Sequence, residues 1–144
     1  MNKTGPIIVI EDDADDRELM RDAFAELNYV NEILYFENGE QALTHLRETP
    51  MEPFIILSDI NMPKLDGLKL KEQIQTNEDL NLKCIPYLLF TTSKNQQHII
   101  DAYSKSVQGF FVKPTNFEKL KIIIRKVVEY WQECESPNYK KYYE

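Results

Sequence analysis

The chain has 144 residues, 42% of them hydrophobic and 28% charged, with a formal net charge of −7. Those values suit one globular domain with a full core and no need of cross-links. The negative balance excludes a nonspecific grip on DNA or an anionic membrane, which takes a basic surface, and no apolar run reaches the roughly 18 residues that span a bilayer.

The N-terminal stretch turns acidic at Glu11 before a signal-peptide core could form, so a cytoplasmic location is expected. Cys84 and Cys134 belong to no CxxC pair and are expected to be reduced thiols. His45 and His98 have neither HxxxH spacing nor clustered cysteines, which argues against zinc.

Short apolar runs alternate with longer amphipathic ones along the chain. PIIVI at 6–10 reads as a buried strand, and from Asp15 onward Leu19, Met20, Ala23, Phe24 and Leu27 recur at helical spacing. Residues 33–36 form a short strand, and Asn38-Gly39 opens a helix to about Leu46. FIIL at 54–57 is the next buried strand, and Asp66-Gly67 starts a helix to about Gln75. Residues 87–90 are a strand, followed by a helix near 95–104. Residues 109–112 are the last strand, and Thr115 begins a final helix with Phe117, Leu120, Ile124, Val127 and Trp131 on one face. Ser93 with Gln96, and Thr115 with Glu118, have capping-box spacing. The tail at 135–144, with Pro137 and three tyrosines, is expected to be a frayed end. Five strand–helix alternations predict a parallel sheet covered by helices on both faces. In such sheets the ligand sits at the carboxyl ends of the strands.

The chemistry lies at those ends. Glu11, Asp12 and Asp13 follow the first strand, Asp59 the third, Thr91, Thr92 and Ser93 the fourth, and Lys113-Pro114 the fifth. Taken singly, each has a bland explanation. Six of the eight residues at 11–18 are acidic, and acids favour a helix N-terminus without any function. Asp59 could cap a helix, and Lys113-Pro114 could end a strand. The conjunction is harder to explain away, because four separate strand ends each carry a residue type that phosphoryl transfer uses. Carboxylates gathered at one edge repel by about 4 kcal/mol per pair at 4 Å and an effective dielectric of 20. A raised pKa or a bound cation relieves them. Oxygen-only donors suit Mg2+, and Lys113 is the one strand-end cation.

The segments IIVIEDD, IILSDINMPKLDG, LLFTTS and GFFVKP, in that order, resemble the four signature regions of bacterial two-component response-regulator receiver domains. The resemblance extends over residues 6–131, and the S-D-x-N-M-P-x-x-D-G stretch is its most specific part. It implies a flavodoxin-like, doubly wound α/β fold: a five-stranded parallel sheet of order 2-1-3-4-5 with five helices, residues 1–134 forming the receiver and 135–144 the tail. It further implies a stand-alone, chemotaxis-type regulator phosphorylated on Asp59. Asp12 would then bind Mg2+ directly, Glu11 through water, and Asn61 through its backbone carbonyl. Lys113 would pair with the phosphoryl group, Thr91 would be the switch hydroxyl, and Phe110 the aromatic switch. Asn61 and Ser93 would set the lifetime of the phosphoryl group. The Lys113–Pro114 bond is expected to be cis. The implied partners are a sensor histidine kinase or histidine phosphotransfer protein, and a downstream protein at the face of the helix near 95–104, the last strand and the final helix. A homodimer is left open, and neither nucleic acid nor membrane is expected.

Three rivals fit less well. A phosphatase of the haloacid-dehalogenase type wants a D-x-D pair, and this chain has Asp59-Ile60-Asn61. A flavodoxin needs a Ser/Thr/Gly-rich loop after the first strand, where Glu11-Asp12-Asp13 would repel a phosphate. A binding module that is never phosphorylated has typically lost the acceptor or the lysine, and both are retained.

Overall fold

The computed structural model describes residues 1–137. Strands β1 (Ile7–Ile10), β2 (Ile33–Phe36), β3 (Ile55–Ser58), β4 (Tyr87–Thr91) and β5 (Gly109–Val112) form one sheet in the order β2-β1-β3-β4-β5. Every neighbouring pair is parallel. The helices are α1 (Ala14–Leu27), α2 (Gly39–Glu48), α3 (Gly67–Thr76), α4 (Glu78–Leu82), α5 (Gln96–Ser104) and α6 (Phe117–Glu133). The predicted tail falls mostly at 138–144, outside the described residues.

The central strands β1 and β3 are buried along their whole length, as strands covered on both faces must be. Alternation along the pleat then divides the core. Ile8, Ile10, Ile56 and Leu89 face α2–α5, with Leu46, Leu70, Ile74, Leu80 and Ala102. Ile7, Val9, Leu57 and Phe90 face α1 and α6, with Met20, Phe24, Leu120 and Ile124. Phe110 packs on the first side, while its neighbour Phe111 goes to the second and stacks on Phe90 at 4.9 Å.

Among the described residues all six helices start on an Asp or Asn cap: Asp13, Asn38, Asp66, Asn77, Asn95 and Asn116. These side chains satisfy N–H groups that the first turn leaves unpaired. The caps revise the expected boundaries. Asn95 and Asn116 cap α5 and α6 in place of Ser93 and Thr115, because an Asx side chain adjacent to the first helical residue reaches the free N–H groups. The short α4 raises the helix count from five to six. Its Asn77 cap, the acids Glu78 and Asp79 in its first turn, and Leu80 turned into the core account for it.

None of the described peptide bonds is cis, so the expectation for Lys113–Pro114 is not met. The trans form is favoured by about 0.5–1 kcal/mol before proline, and in it the Lys113 side chain already reaches the acids it serves.

Gly67 lies directly under the end of β3. Its N–H donates to the Ile60 carbonyl (2.9 Å), and its own carbonyl accepts from Tyr87 Oη (2.6 Å). A Cβ at Gly67 would collide with the carbonyl oxygen of Asp59, which is backbone and has little room to give. Gly67→Ala should therefore cost about 1–3 kcal/mol, as other overpacking substitutions do, read as a lower denaturant midpoint. A midpoint equal to wild type would show that the loop after β3 can move away.

Candidate functional site

The sheet's hydrogen bonds continue past the strand ends and place the chemical groups. Glu11 N–H donates to Phe36 O (3.0 Å), Asp59 N–H to Ile10 O (3.0 Å) and Lys113 N–H to Thr91 O (2.8 Å). Because Ile10 pairs with Ser58, Glu11 and Asp59 come next, side by side on adjacent strands. Residues far apart in sequence thus share one rigid edge.

At that edge Lys113 Nζ donates to three carboxylates: Asp59 Oδ2 (3.0 Å), Asp16 Oδ2 (2.9 Å) and Glu11 Oε2. Asp59 Oδ1 accepts from the Ile60 N–H (2.7 Å), and Glu11 Oε1 from the Asp13 N–H (3.1 Å). Glu11 is only 3% exposed and Asp59 9%. Arg17 braces the same loop by donating to the Glu11 carbonyl (2.9 Å).

Burial pushes the Glu11 carboxyl up from 4.5 to about 7, with the charge of Asp59 adding and the contact with Lys113 opposing. For Lys113, burial alone would lower the ammonium's pKa. Its hydrogen bonds to Glu11 and Asp16, and the charges of Glu11 and Asp59, outweigh burial and hold it above its ordinary value.

One oxygen from each of Glu11, Asp12 and Asp59 lies within 4.8 Å of the others. Three hard oxygen donors, with Asp12 exposed to solvent, fit a cation that keeps some of its waters. Asp59 Oδ1 and Oδ2 each hold one hydrogen bond and retain lone pairs for such an ion.

The structure therefore brings together Glu11, Asp12, Asp59 and Lys113. Asn61 is exposed in the loop two residues past Asp59. Thr91 is fully buried at the end of β4, with its hydroxyl accepting the Ser93 N–H (3.2 Å). Phe110 is half-buried. Sequence reasoning missed Asp16, which it read only as one more acid at a helix start. Its place one turn along from Asp12, in the first turn of α1, was the available signal.

A buried acid with a raised pKa gives the folded state an extra proton between about pH 4.5 and about 7. Unfolding releases that proton, so Glu11's contribution to stability falls as pH rises through this window. The metal-free protein should lose thermal stability across it, and Glu11→Gln should remove that component. Parallel stability–pH curves for the two proteins would contradict this account of Glu11.

Residues 7–125 match the family model of the response regulator receiver domain. The chain is 33% identical over 129 residues to the probable methanogenesis regulatory protein FilR2 of Methanothrix harundinacea, covering 87% of this chain and 82% of that one. It is 29% identical to the response regulator Rcp1 of Synechocystis, with 88% of each chain covered. Chemotaxis protein CheY-3 of Vibrio cholerae is 28% identical over 90% of this chain and 95% of that one. Among solved structures, the phosphorylated cyanobacterial phytochrome response regulator RcpA superposes with a TM-score of 0.81 at 27% identity, covering 91% of this chain and 96% of that one. The Mn2+-bound form of Rcp1 gives 0.77 at 27% identity, covering 92% and 97%. With its sheet order, its acidic strand-end pocket and these similarities, the chain belongs to the response regulator receiver domains of two-component signalling.

Proposed function

We propose that this receiver takes a phosphoryl group onto Asp59 from a histidine kinase or a histidine phosphotransfer protein, in a reaction that requires Mg2+. We further propose that it passes the signal on through the α5–β5–α6 face. The observation that carries this reading is the placing of Asp59: nearly buried, held by Lys113, and grouped with Glu11 and Asp12. The similar folds of Rcp1, solved with Mn2+, and RcpA, solved phosphorylated, support the metal and the modification.

Asp12, Asp59 and the Asn61 backbone carbonyl would hold Mg2+ directly, and Glu11 would hold it through water. The bound ion supplies positive charge to the phosphoryl oxygens. A carboxylate oxygen of Asp59 attacks phosphorus in line. The new O–P bond forms as the P–N bond to the donor imidazole breaks, and the bonding pair leaves with the imidazole. Lys113 is already on Asp59 and needs only to exchange a carboxylate partner for a phosphoryl oxygen. Asp16, the more exposed of its three partners, is the one placed to yield. Thr91 donates its hydroxyl to a further phosphoryl oxygen. The chain acts on itself in both phosphorylation and slow dephosphorylation, with no separate substrate turned over.

The same reading takes 1–134 as the functional unit, supported by the end of α6 at Glu133. It also places the protein in the cytoplasm. Among the described residues no helix is long and apolar enough to cross a membrane. A dehalogenase-type phosphatase is disfavoured because Asn61 cannot shuttle a proton where that chemistry needs a second carboxylate.

Incubation with acetyl phosphate and Mg2+ should label the protein at Asp59, located by borohydride trapping and mass spectrometry, and Asp59→Asn should take no label. Full labelling of that variant would overturn the assignment.

The signal reading rests on Thr91 and Phe110. When Thr91 turns toward the phosphoryl group it leaves space at the sheet edge, into which Phe110 can rotate. Phosphorylation can bias that rotamer only by interacting differently with its two states. In the aromatic NMR spectrum, beryllofluoride should shift Phe110 in wild type and not in Thr91→Ala. An identical response in both proteins would rule out this coupling.

A further inference from the structure

A second polar chain leaves the end of β4 and runs to the outer helix. Ser93 N–H donates to Thr91 Oγ (3.2 Å). Ser93 Oγ accepts from the Asn95 N–H (3.3 Å) and lies 2.8 Å from Nδ1 of His98, on α5. Ser58 pairs with Leu89, so Ile60 is level with Thr91, and Ser93 follows at the same carboxyl edge as Asp59. Ser93 and His98 are both half-buried, which limits how far water can replace their contact.

We propose that His98 is a positioning residue: by holding the Ser93 hydroxyl in one of two directions, it sets the lifetime of the phosphoryl group on Asp59. The inference rests on the Asp59 reading above. A hydroxyl has one hydrogen to donate and two lone pairs to accept with. With Nδ1 unprotonated, Ser93 gives its hydrogen to His98 and one lone pair to Asn95 N–H. One lone pair is left free, to accept from a water whose own lone pair is turned to phosphorus. With the imidazolium, Nδ1–H fills that last lone pair and the Ser93 hydrogen is released. Ser93 then presents a donor, which holds a water or a phosphoryl oxygen but does not orient a water for attack. Hydrolysis breaks the bond between the Asp59 oxygen and phosphorus. Water supplies the new oxygen, inorganic phosphate leaves, and the carboxylate is regenerated.

Few charged side chains surround His98 among the described residues. On its own segment, Lys94 and Asp101 are the charged residues within about one turn, and Asp101 is engaged by Gln97 Nε2 (2.8 Å). Neither β4 nor β5 carries a charged side chain, and the one ionisable group on them, Tyr87, donates to the Gly67 carbonyl. On α3, Lys71 lies over the Tyr87 ring. No ion pair among the described residues reaches His98.

The test follows the decay of acetyl-phosphate label at about pH 6 and about pH 8, values that bracket the usual charge change of histidine. Wild type, His98→Asn, His98→Ala and Ser93→Ala are compared, with rates divided by that of Ser93→Ala to cancel the acyl phosphate's own pH dependence. Wild type should decay about fivefold faster, on this relative scale, at the higher pH, the size expected of one neutral hydrogen bond. His98→Asn, which keeps a carbonyl acceptor near the Nδ1 position, should stay fast at both pH values. His98→Ala should show no step. A step that persists in His98→Ala, or none in wild type, overturns the inference while leaving Asp59 as acceptor. Absence of label from wild type overturns the Asp59 reading and this inference with it.

Discussion

One ammonium group is shared by three carboxylates at the carboxyl edge of the sheet, and the arrangement of the pocket follows from that imbalance. Lys113 binds Glu11, Asp16 and Asp59 together, with Asp12 close by and in no ion pair with a lysine among the described residues. At an effective dielectric of about 20, each pair of like charges about 4 Å apart costs roughly 4 kcal/mol, and one lysine cannot offset them all. Burial, with the charge of Asp59 adding, raises the Glu11 pKa and so lessens the repulsion, and the cluster offers a cation three oxygens. Such a cluster is costly for folding, so its presence in a buried position points to use.

The fold bears this cost because the edge is rigid. β1 and β3 are buried on both faces, and ladder hydrogen bonds run on into Glu11, Asp59 and Lys113. The backbone of these residues is therefore fixed before any ligand arrives. Gly67 completes the seat by letting α3 approach the Asp59 carbonyl closely. A preorganised site spends little energy on rearrangement when charge changes at its centre.

In the proposed function two routes would connect the pocket with the α5 side of the molecule. The proposed steric one would run from buried Thr91 to Phe110, which packs with α2–α5 while Phe111 turns to the opposite core. The other is polar, from Thr91 through Ser93 to His98. Both would begin at the Thr91 hydroxyl, so in the proposed function a change in its partner would be felt as packing on one route and as hydrogen-bond direction on the other.

The alternation of strands with the five longer helices, the two-sided burial of β1 and β3, and the gathering of Asp59, Asp12, Glu11 and Lys113 at one edge were legible in the sequence. Apolar runs without alternation mark buried parallel strands, and strand-end residues must meet at one edge whatever their separation in the chain. The helix caps were harder. Asn95 and Asn116 compete with nearby Ser93 and Thr115, and which side chain reaches the free N–H groups depends on how the loop closes. The trans Lys113–Pro114 bond, the small helix α4, the attachment of Asp16 to Lys113 and the contact between Ser93 and His98 were decided only in three dimensions. Each depends on distances between side chains from different elements, or on loop geometry. Periodicity reports which face a residue occupies, but not which partner across a gap of a few ångströms its polar atoms will find.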